Sequence, residues 1–286
     1  MSTATVQVTK ASGEKQAFDE SKLRRSLSNA GAGEELIKQI IDSIEEKLYD
    51  GITTRKIYKE AFRQLKNASK KAAVSYNLKE AILELGPTGF PFEKFVAEML
   101  NRMGYQTEVG VIVKGECVNH EIDVLASKDN DHFMIECKFH NRKENTCNVQ
   151  VPLYIQSRFL DVKKNWMSLP GHKHKVHKGW IVTNTRFTQD AEQYGECAGL
   201  KLLSWDYPKN NGLKELISRV GLHPVTSLSS LNREEKSMLL DMEVIFCTQL
   251  HENPDHLGKI GMDNRKAAKV RKEVDAVCNS KSVNYE

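Results

Sequence analysis

Two short apolar runs joined by a polar turn constrain the fold of this chain more than any other segment. The first run follows Asp123, and the second ends in Glu136, Cys137 and Lys138, with an Asn/Asp-rich turn at 127–131 between them. Two β-forming runs around such a turn predict a β-hairpin. Because successive side chains of a strand point to opposite faces, Glu136 and Lys138 are expected on one face and Cys137 on the other.

Two carboxylates and an amine at the end of a hairpin suit one chemistry. Asp123 and Glu136 could hold a hard divalent cation, Mg²⁺ or Mn²⁺. Such an ion activates water and neutralises charge on a phosphate, while Lys138 could orient that water. Phosphodiester hydrolysis without a covalent intermediate would follow. Solvated charges at ordinary strand ends give the same pattern, so the pattern alone leaves both interpretations open.

The composition describes a globular protein of about two domains, with 286 residues, 40% hydrophobic and 28% charged. No apolar run reaches about 18 residues, and the N-terminus lacks the basic and apolar regions of a signal peptide. We therefore expect a cytoplasmic protein with no membrane contact. None of the six cysteines forms a C-x-x-C pair, which argues against a structural zinc site and favours reduced thiols.

Positive charge is concentrated in two stretches, 142–178 and 259–272, although the net charge is only +4. The first includes a histidine- and lysine-rich segment at 171–178 that carries Lys173 and Lys175. Basic stretches can bind the phosphates of DNA. The alternatives are a solvated loop and a zinc site formed by the three histidines of that segment.

The first 87 residues predict a small β-hairpin followed by four amphipathic helices, the fourth spanning about 70–85. This segment resembles the ATP-cone, a nucleotide-binding regulatory domain of ribonucleotide reductases and their transcriptional repressor. The matching residues are Val8-Thr9-Lys10-x-x-Gly13, Phe18-Asp19-x-x-Lys22-Leu23 and Asp50-Gly51-Ile52-x-Thr54-x-x-Ile57.

The resemblance implies that ATP or dATP binds as a regulatory ligand. Lys10 and Lys22 would contact phosphate, and Thr54 would lie at a helix start that favours anions. The family usually has Arg-Asp after its first lysine, but this chain has Ala11-Ser12. No Gly-x-x-x-x-Gly-Lys-Ser/Thr loop occurs in the sequence, so ATP is not expected to drive a motor. Ordinary surface positions are the alternative for both lysines.

After a Gly- and Pro-rich segment at 86–91, which predicts a linker, the sequence predicts a helix over 92–103, a strand over 107–113 and then the central hairpin. A further strand, helix and strand are predicted between Gly179 and Trp205. This order resembles the PD-(D/E)XK nuclease core, and the Mrr-like restriction endonucleases most closely. The resemblance covers about residues 88–207.

The resemblance implies a catalytic set of Asp123, Glu136, Lys138 and Glu93, the last near the start of the first helix. Asp123, Glu136 and the carbonyl of Cys137 would bind the metal. Glu93 could equally be a helix-start glutamate that interacts with the helix dipole. The chain departs from the family between Lys138 and Gly179, where a helix carries Gln156 and Arg158 as candidate contacts of DNA phosphate or of a metal-bound water. A packing role for Gln156 and a solvated position for Arg158 are the alternatives.

The expected fold class is α/β. A mostly helical ATP-cone with a small hairpin spans 1–87, a restriction-endonuclease-like mixed sheet flanked by helices spans 88–210, and a small helical region that could bind DNA spans 211–286. The first hypothesis is a magnesium-dependent DNA endonuclease of the type IV restriction kind, regulated by nucleotide and forming a homo-oligomer. One alternative is a nucleotide-sensing DNA-binding regulator that uses a non-cleaving nuclease fold. Another is an RNA-directed nuclease.

Overall fold

The N-terminal part is a helical bundle capped by a three-stranded sheet in a computed structural model that describes residues 6–10, 12–170 and 176–278. Its elements are β1 (Gln7–Thr9), β2 (Lys15–Ala17), α1 (Glu20–Asn29), α2 (Glu34–Glu45), β3 (Ile52–Thr53), α3 (Thr54–Ala68), α4 (Lys70–Tyr76) and α5 (Leu78–Leu83). The strand order is β2-β1-β3, with β1 antiparallel to β2 and parallel to β3. The predicted fourth helix is two helices, because the chain bends at Asn77.

The central part is a five-stranded mixed sheet with helices on both faces. Its elements are α6 (Phe90–Arg102), β4 (Gln106–Lys114), β5 (Asn119–Lys128), β6 (Asp131–Lys138), β7 (Thr146–Cys147), α7 (Gln150–Ser168), β8 (Val176–Thr183), β9 (Arg186–Phe187), α8 (Gln189–Cys197) and β10 (Lys201–Leu203). The order is β10-β8-β6-β5-β4; β4, β5 and β6 are antiparallel, and β8 and β10 run parallel to β6. The predicted hairpin and mixed sheet are confirmed.

Alternation along the strands divides the buried residues between the two faces of this sheet. Phe133 and Trp180 pack in the core that contains α6, whereas Met134 and Ile181 pack with α7 and α8. The sheet is therefore covered on both faces, and its strand ends are the places where polar side chains can meet.

The C-terminal part is helical. It comprises α9 (Leu213–Val220), a 3₁₀ turn (Val225–Ser227), α10 (Arg233–Asp241), α11 (Cys247–Glu252), α12 (His256–Lys259) and α13 (Asn264–Cys278). Helix α9 packs in the core of α6 through Leu213, Leu216 and Ile217, and the later helices share a separate core. No helix among the described residues is both long and apolar enough to span a bilayer.

The three parts are packed on one another. Leu78, Ile82 and Leu85, at the end of the N-terminal helices, are buried in the same core as Phe92 and Phe95 of α6. At the predicted linker, Gly86 lies so close to the Phe139 ring that a Cβ built on it would be 2.3 Å from that ring. The domain boundary at 87 stays a prediction, but apolar contacts run across it.

The C-terminal helices contact both other parts. Val74 of α4 is buried in their core, and the Thr226 hydroxyl donates to the Ala81 carbonyl of α5 at 2.7 Å. An ion pair of 2.7 Å joins Lys94 of α6 to Glu243. The C-terminal part thus bridges the N-terminal helices and α6.

Glu273 is a buried carboxylate that fastens the C-terminal core. It accepts hydrogen bonds of 2.7 to 2.9 Å from the Ser229 N–H and hydroxyl and from the Ser230 N–H. Burial by itself would raise the pKa of Glu273, but these bonds outweigh burial and lower that pKa. A lowered pKa means that the carboxylate stabilises the fold above its unfolded pKa of about 4.3 and loses this effect as the pH falls through the folded value.

We predict that Glu273→Gln lowers the free energy of unfolding by about 1–3 kcal/mol at pH 7, because it weakens three bonds to a buried acceptor. Urea unfolding of both proteins should show this difference shrinking below about pH 4. Asp275→Asn, at an exposed position of the same helix, is the control and should change little. A loss for Glu273→Gln that is equal at pH 7 and pH 3.5 would contradict the charge-based explanation.

Candidate active site at the fork of β5 and β6

The hairpin strands separate at Asp123. Their ladder runs from Lys128 and Asp131 to Val124 and Ile135, and beyond it Asp123 Oδ2 accepts the Cys137 N–H at 2.7 Å. A carboxylate therefore takes the place of a backbone carbonyl. From this point β5 continues to pair with β4, and β6 continues to pair with β8. The strand ends form a fork that the Asp123 side chain bridges.

The edge strand adapts to this fork. Gly110 of β4 falls opposite Asp123, between the pairs Val109–Val124 and Val111–Ile122. Its φ of +67° is open to glycine and strained for other residues. Val124 is buried in the α6 core and Ile122 in the α7 core, although they are two residues apart. The strand therefore turns over at Asp123.

Glu136 lies in the fork between two cations. Its Oε1 accepts from Lys138 Nζ at 2.7 Å and its Oε2 from Arg158 Nη1 at 2.5 Å. Arg158 also donates to the Glu121 carbonyl, so α7 is fastened to the fork by one guanidinium. Glu136 is only 5% exposed, and both charge-assisted contacts compensate for its burial. The expected shared face of Glu136 and Lys138 is thus observed.

Three carboxylates repel one another at this site. Burial and the neighbouring Glu136 raise the pKa of Asp123 to about 6. Burial, together with Asp123, Glu121 and Glu136, raises the pKa of Glu93 to about 7. Glu93, in the first turn of α6, therefore lies within electrostatic reach of the fork. Burial opposes the charge of Lys138, but the contact with Glu136 outweighs it and raises the pKa of this amine, so Lys138 is a cation at neutral pH.

The fork fits a hard cation better than a soft one. No three His, Cys, Asp or Glu side chains among residues 6–10, 12–170 and 176–278 are grouped to hold a metal by themselves. The Cys137 thiol lies in the α6 core, and burial raises its pKa well above the ordinary value. The oxygens of Asp123 and Glu136 and the Cys137 carbonyl are the predicted donor set, and crowded carboxylates are relieved by a divalent cation.

The residues that the sequence predicted as DNA contacts lie in different surroundings. The Gln156 amide donates to the Ala198 carbonyl at 3.4 Å, so it faces the end of α8. Arg158 lies in the fork, where only 13% of its side chain is exposed. Lys173 and Lys175 lie outside the described residues. The sequence predicted that Arg158 contacts phosphate or a metal-bound water, and that role stays a prediction. Its contact with Glu136 was not predicted, because only the packing of α7 on the hairpin brings the two residues together.

The predicted nucleotide residues lie at element ends of the N-terminal part. Thr9 pairs with Thr53 in the parallel β1–β3 ladder, so the next residues, Lys10 and Thr54, emerge at the same edge. Thr53 caps α3 by accepting the Lys56 N–H at 3.2 Å, which makes Thr54 the first helical residue.

Both predicted phosphate lysines have acidic neighbours. Lys10 pairs with Glu14 at 2.9 Å. Lys22, in the first turn of α1, pairs with Asp19 at 3.3 Å. Each pair is solvent-exposed and therefore weak, so an incoming phosphate could compete for either amine.

Comparison with known proteins identifies all three parts. Residues 6–78 match the ATP cone domain, 86–207 the restriction endonuclease domain of the Mrr type, and 223–278 the AF1548-like C-terminal domain. An uncharacterized protein of Archaeoglobus fulgidus is 37% identical over 183 residues, which are 64% of this chain and 99% of that protein. This chain belongs to the AF1548-like family. In this chain, an ATP-cone domain and an Mrr-type nuclease domain occur together, as the motifs predicted.

A solved structure supports the same family. The crystal structure of AF1548, titled a protein of unknown function, matches with a TM-score of 0.55 and 34% identity, over 68% of this chain and all of that one. In this AF1548-like chain, the match to the endonuclease domain includes the fork of β5 and β6.

We predict that Asp123→Asn stabilises the metal-free protein at pH 8 by about 1–3 kcal/mol, a range that follows from the raised pKa. The folded pKa of about 6 exceeds the unfolded value of about 3.9. The contribution of Asp123 to wild-type stability should therefore rise as the pH falls from 8 towards 4, and the advantage of the variant should vanish there. Thermal unfolding of the wild type and the variant in EDTA, at pH 8 and near pH 4, measures the difference in stability. A variant less stable than wild type at pH 8 would contradict the repulsion described above.

Proposed function

We propose that this AF1548-like protein is a Mg²⁺- or Mn²⁺-dependent DNA endonuclease, regulated by ATP or dATP at its cone, that acts in restriction-type defence or DNA processing. The observation that carries the proposal is the crowding of Asp123, Glu136 and Lys138 at the fork. Such crowding costs stability, and carboxylates with a raised pKa beside a fixed cation, as Asp123 and Glu93 are, are typical of functional sites. The match to the Mrr-type restriction endonuclease domain supports the same conclusion.

Each side chain has a distinct role in the proposed reaction. Asp123, Glu136 and the Cys137 carbonyl would hold the ion, and a divalent cation there would supply a more acidic water and neutralisation of charge on the phosphate. Lys138, a cation in contact with Glu136, orients the attacking water and stabilises the developing negative charge.

Two further residues support that set. Glu93 supplies a third carboxylate that can accept a hydrogen bond from a water in the site. Arg158 acts as a positioning residue, because it holds Glu136 Oε2 and fixes α7 to the Glu121 carbonyl.

DNA is the proposed substrate, and basic residues on the segment between Lys138 and β8 support this proposal. Arg142 and Lys143, in the exposed loop after β6, and Lys163 and Lys164 on α7 lie on the segment between Lys138 and β8. Phosphate contacts from such residues give affinity and position without reading sequence. Lys173 and Lys175 remain part of this proposal as sequence-based candidates.

The packing supports a regulatory role for the cone. Helix α5 is buried against α6, the helix that carries Glu93, and α4 and α5 also contact the C-terminal helices. Nucleotide binding that favours one arrangement of the cone would therefore bias the position of α6. Cones associate in the related families that the resemblance names, so a homo-oligomer is part of the proposal.

We predict that Lys138→Met abolishes nicking of supercoiled plasmid in Mg²⁺ while DNA binding changes less than about threefold, because the substitution removes the amine and keeps the length of the side chain. Asp123→Asn should likewise abolish nicking and leave DNA binding nearly unchanged. Lys209→Ala, at an exposed loop position, is the control and should cut normally.

The matched measurements are plasmid nicking and binding of a labelled duplex, each with and without EDTA. Cutting that persists in both site variants would contradict the assignment of the fork. Intact binding with no cutting by wild type under any metal or nucleotide condition would favour the alternative, a nucleotide-sensing DNA-binding regulator.

We predict that the double substitution Lys10→Ala and Lys22→Ala weakens ATP and dATP binding at least about tenfold, since two charge-assisted phosphate contacts are lost. Calorimetric titration of each nucleotide into the full chain measures the change in affinity. Lys59→Ala, an exposed lysine on α3, is the control. Unchanged affinity in the double variant would contradict the proposed nucleotide site, and any nucleotide effect on nicking should disappear with the binding.

A further inference from the structure

A pocket of about 410 Å³ opens directly beside Lys138. It lies between the segment that follows β6, strand β7 and the first turns of α7. Its volume is within the range of about 300–1,000 Å³ that is usual for ligand pockets. Lys138 belongs both to this pocket and to the fork, so an occupant would lie next to the reacting centre.

The lining of the pocket combines flat rings with hydrogen-bonding side chains. Tyr154 of α7 is 61% exposed, and the Arg158 guanidinium lies 5.6 Å from the centre of its ring. Phe139 supplies a second ring in the lining, backed by Phe92 at 5.8 Å between ring centres. His140, Asn148 and Gln150 add polar groups to the lining. A planar ligand with polar edges suits such walls.

The floor of the pocket is rigidly held. Asn184, which is fully buried, accepts the His140 N–H at 2.8 Å and donates to the His140 carbonyl at 2.7 Å. The Lys138 carbonyl accepts the Thr183 hydroxyl at 2.7 Å, and His140 Nε2 lies 3.5 Å from Cys147 Sγ. These contacts fix the chain on both sides of Phe139, so the pocket is preformed rather than created by its ligand.

The charge of the lining excludes some occupants. Among the residues that line the pocket, Lys138 is the one that carries a full charge at neutral pH, and Glu136 already contacts it. A triphosphate would need several cations, whereas a nucleobase needs an aromatic face and a few polar groups at its edge.

We propose that this pocket binds an unstacked base of the DNA substrate, adjacent to the phosphate that is cut, with the base stacked on Tyr154. The inference rests on the proposed function and narrows its substrate. A base within a duplex is stacked and cannot enter a side pocket unless it is extruded, and extrusion costs least where the base is mismatched or already unpaired. DNA with an unpaired or mispaired nucleotide is therefore the preferred substrate class.

The test uses the full chain carrying Asp123→Asn, so that bound DNA is not cut. Binding of three duplexes is compared by fluorescence anisotropy: fully paired, with one mismatch and with a short unpaired flap. The mismatch and flap should bind more tightly than the paired duplex. Adding Tyr154→Ala should weaken their binding about 5- to 100-fold, as expected for the loss of one stacking platform, and should leave binding of the paired duplex within twofold.

Two variants serve as controls in the same background. Tyr154→Trp keeps an aromatic face and should retain the preference. Leu160→Ala removes an exposed apolar side chain of α7 that does not line the pocket, and it should behave like the parent. Equal thermal midpoints for the variants ensure that lost binding is not lost folding.

A second readout locates the base. A 2-aminopurine placed at the unpaired position should be quenched on binding when Tyr154 is present and remain bright with Tyr154→Ala. Equal affinity for all three duplexes, or no effect of Tyr154→Ala, would overturn the pocket assignment even if the wild type cuts DNA. Tyr154-dependent quenching in a wild-type protein that never cuts DNA would support the pocket assignment and contradict the proposed nuclease activity.

Discussion

The hydrogen bond from the Cys137 N–H to Asp123 Oδ2, at 2.7 Å, is the contact on which the rest of the site depends. It ends the ladder between β5 and β6 and lets each strand continue with its other neighbour. In an ordinary hairpin, backbone N–H and carbonyl groups of the two strands would pair at this point. The carboxylate instead satisfies one backbone donor and leaves a gap between the strand ends. Asp123, Glu136 and Lys138 meet around that gap because of the sheet, not because of a flexible loop.

Holding these charges together is unfavourable without a cation, and the structure shows what offsets it. Glu136 is bound by Lys138 and Arg158, and Arg158 ties α7 to the Glu121 carbonyl. The raised pKa values of Asp123 and Glu93 record the repulsion that remains. Buried cores on both faces of the sheet supply the rigidity that keeps the carboxylates close. In the proposed enzyme, such a site would be preorganised for a divalent ion and for the phosphate of the substrate.

The sequence was informative where the pattern is local. The hairpin, the strand periodicity, the order of helix, strand and Glu-x-Lys, and the cone motifs all depend on near neighbours in the chain, and the fold class followed from them. Three features depend on contacts between distant segments: the position of Arg158 beside Glu136, the pocket formed by Tyr154 and Phe139, and the burial of Leu85 with Phe92. No periodicity carries such information. The bend at Asn77 was also missed, because the apolar spacing continues through it.

We propose that the fork of β5 and β6 is a divalent metal site. Crystals of the wild-type protein soaked in Mn²⁺, with diffraction data collected at the manganese absorption edge, test it directly. We expect an anomalous peak within coordination distance of Asp123, Glu136 and the Cys137 carbonyl, and its loss in Asp123→Asn crystals. A peak confined to other residues, or an empty fork at millimolar Mn²⁺ in well-ordered crystals, would contradict it.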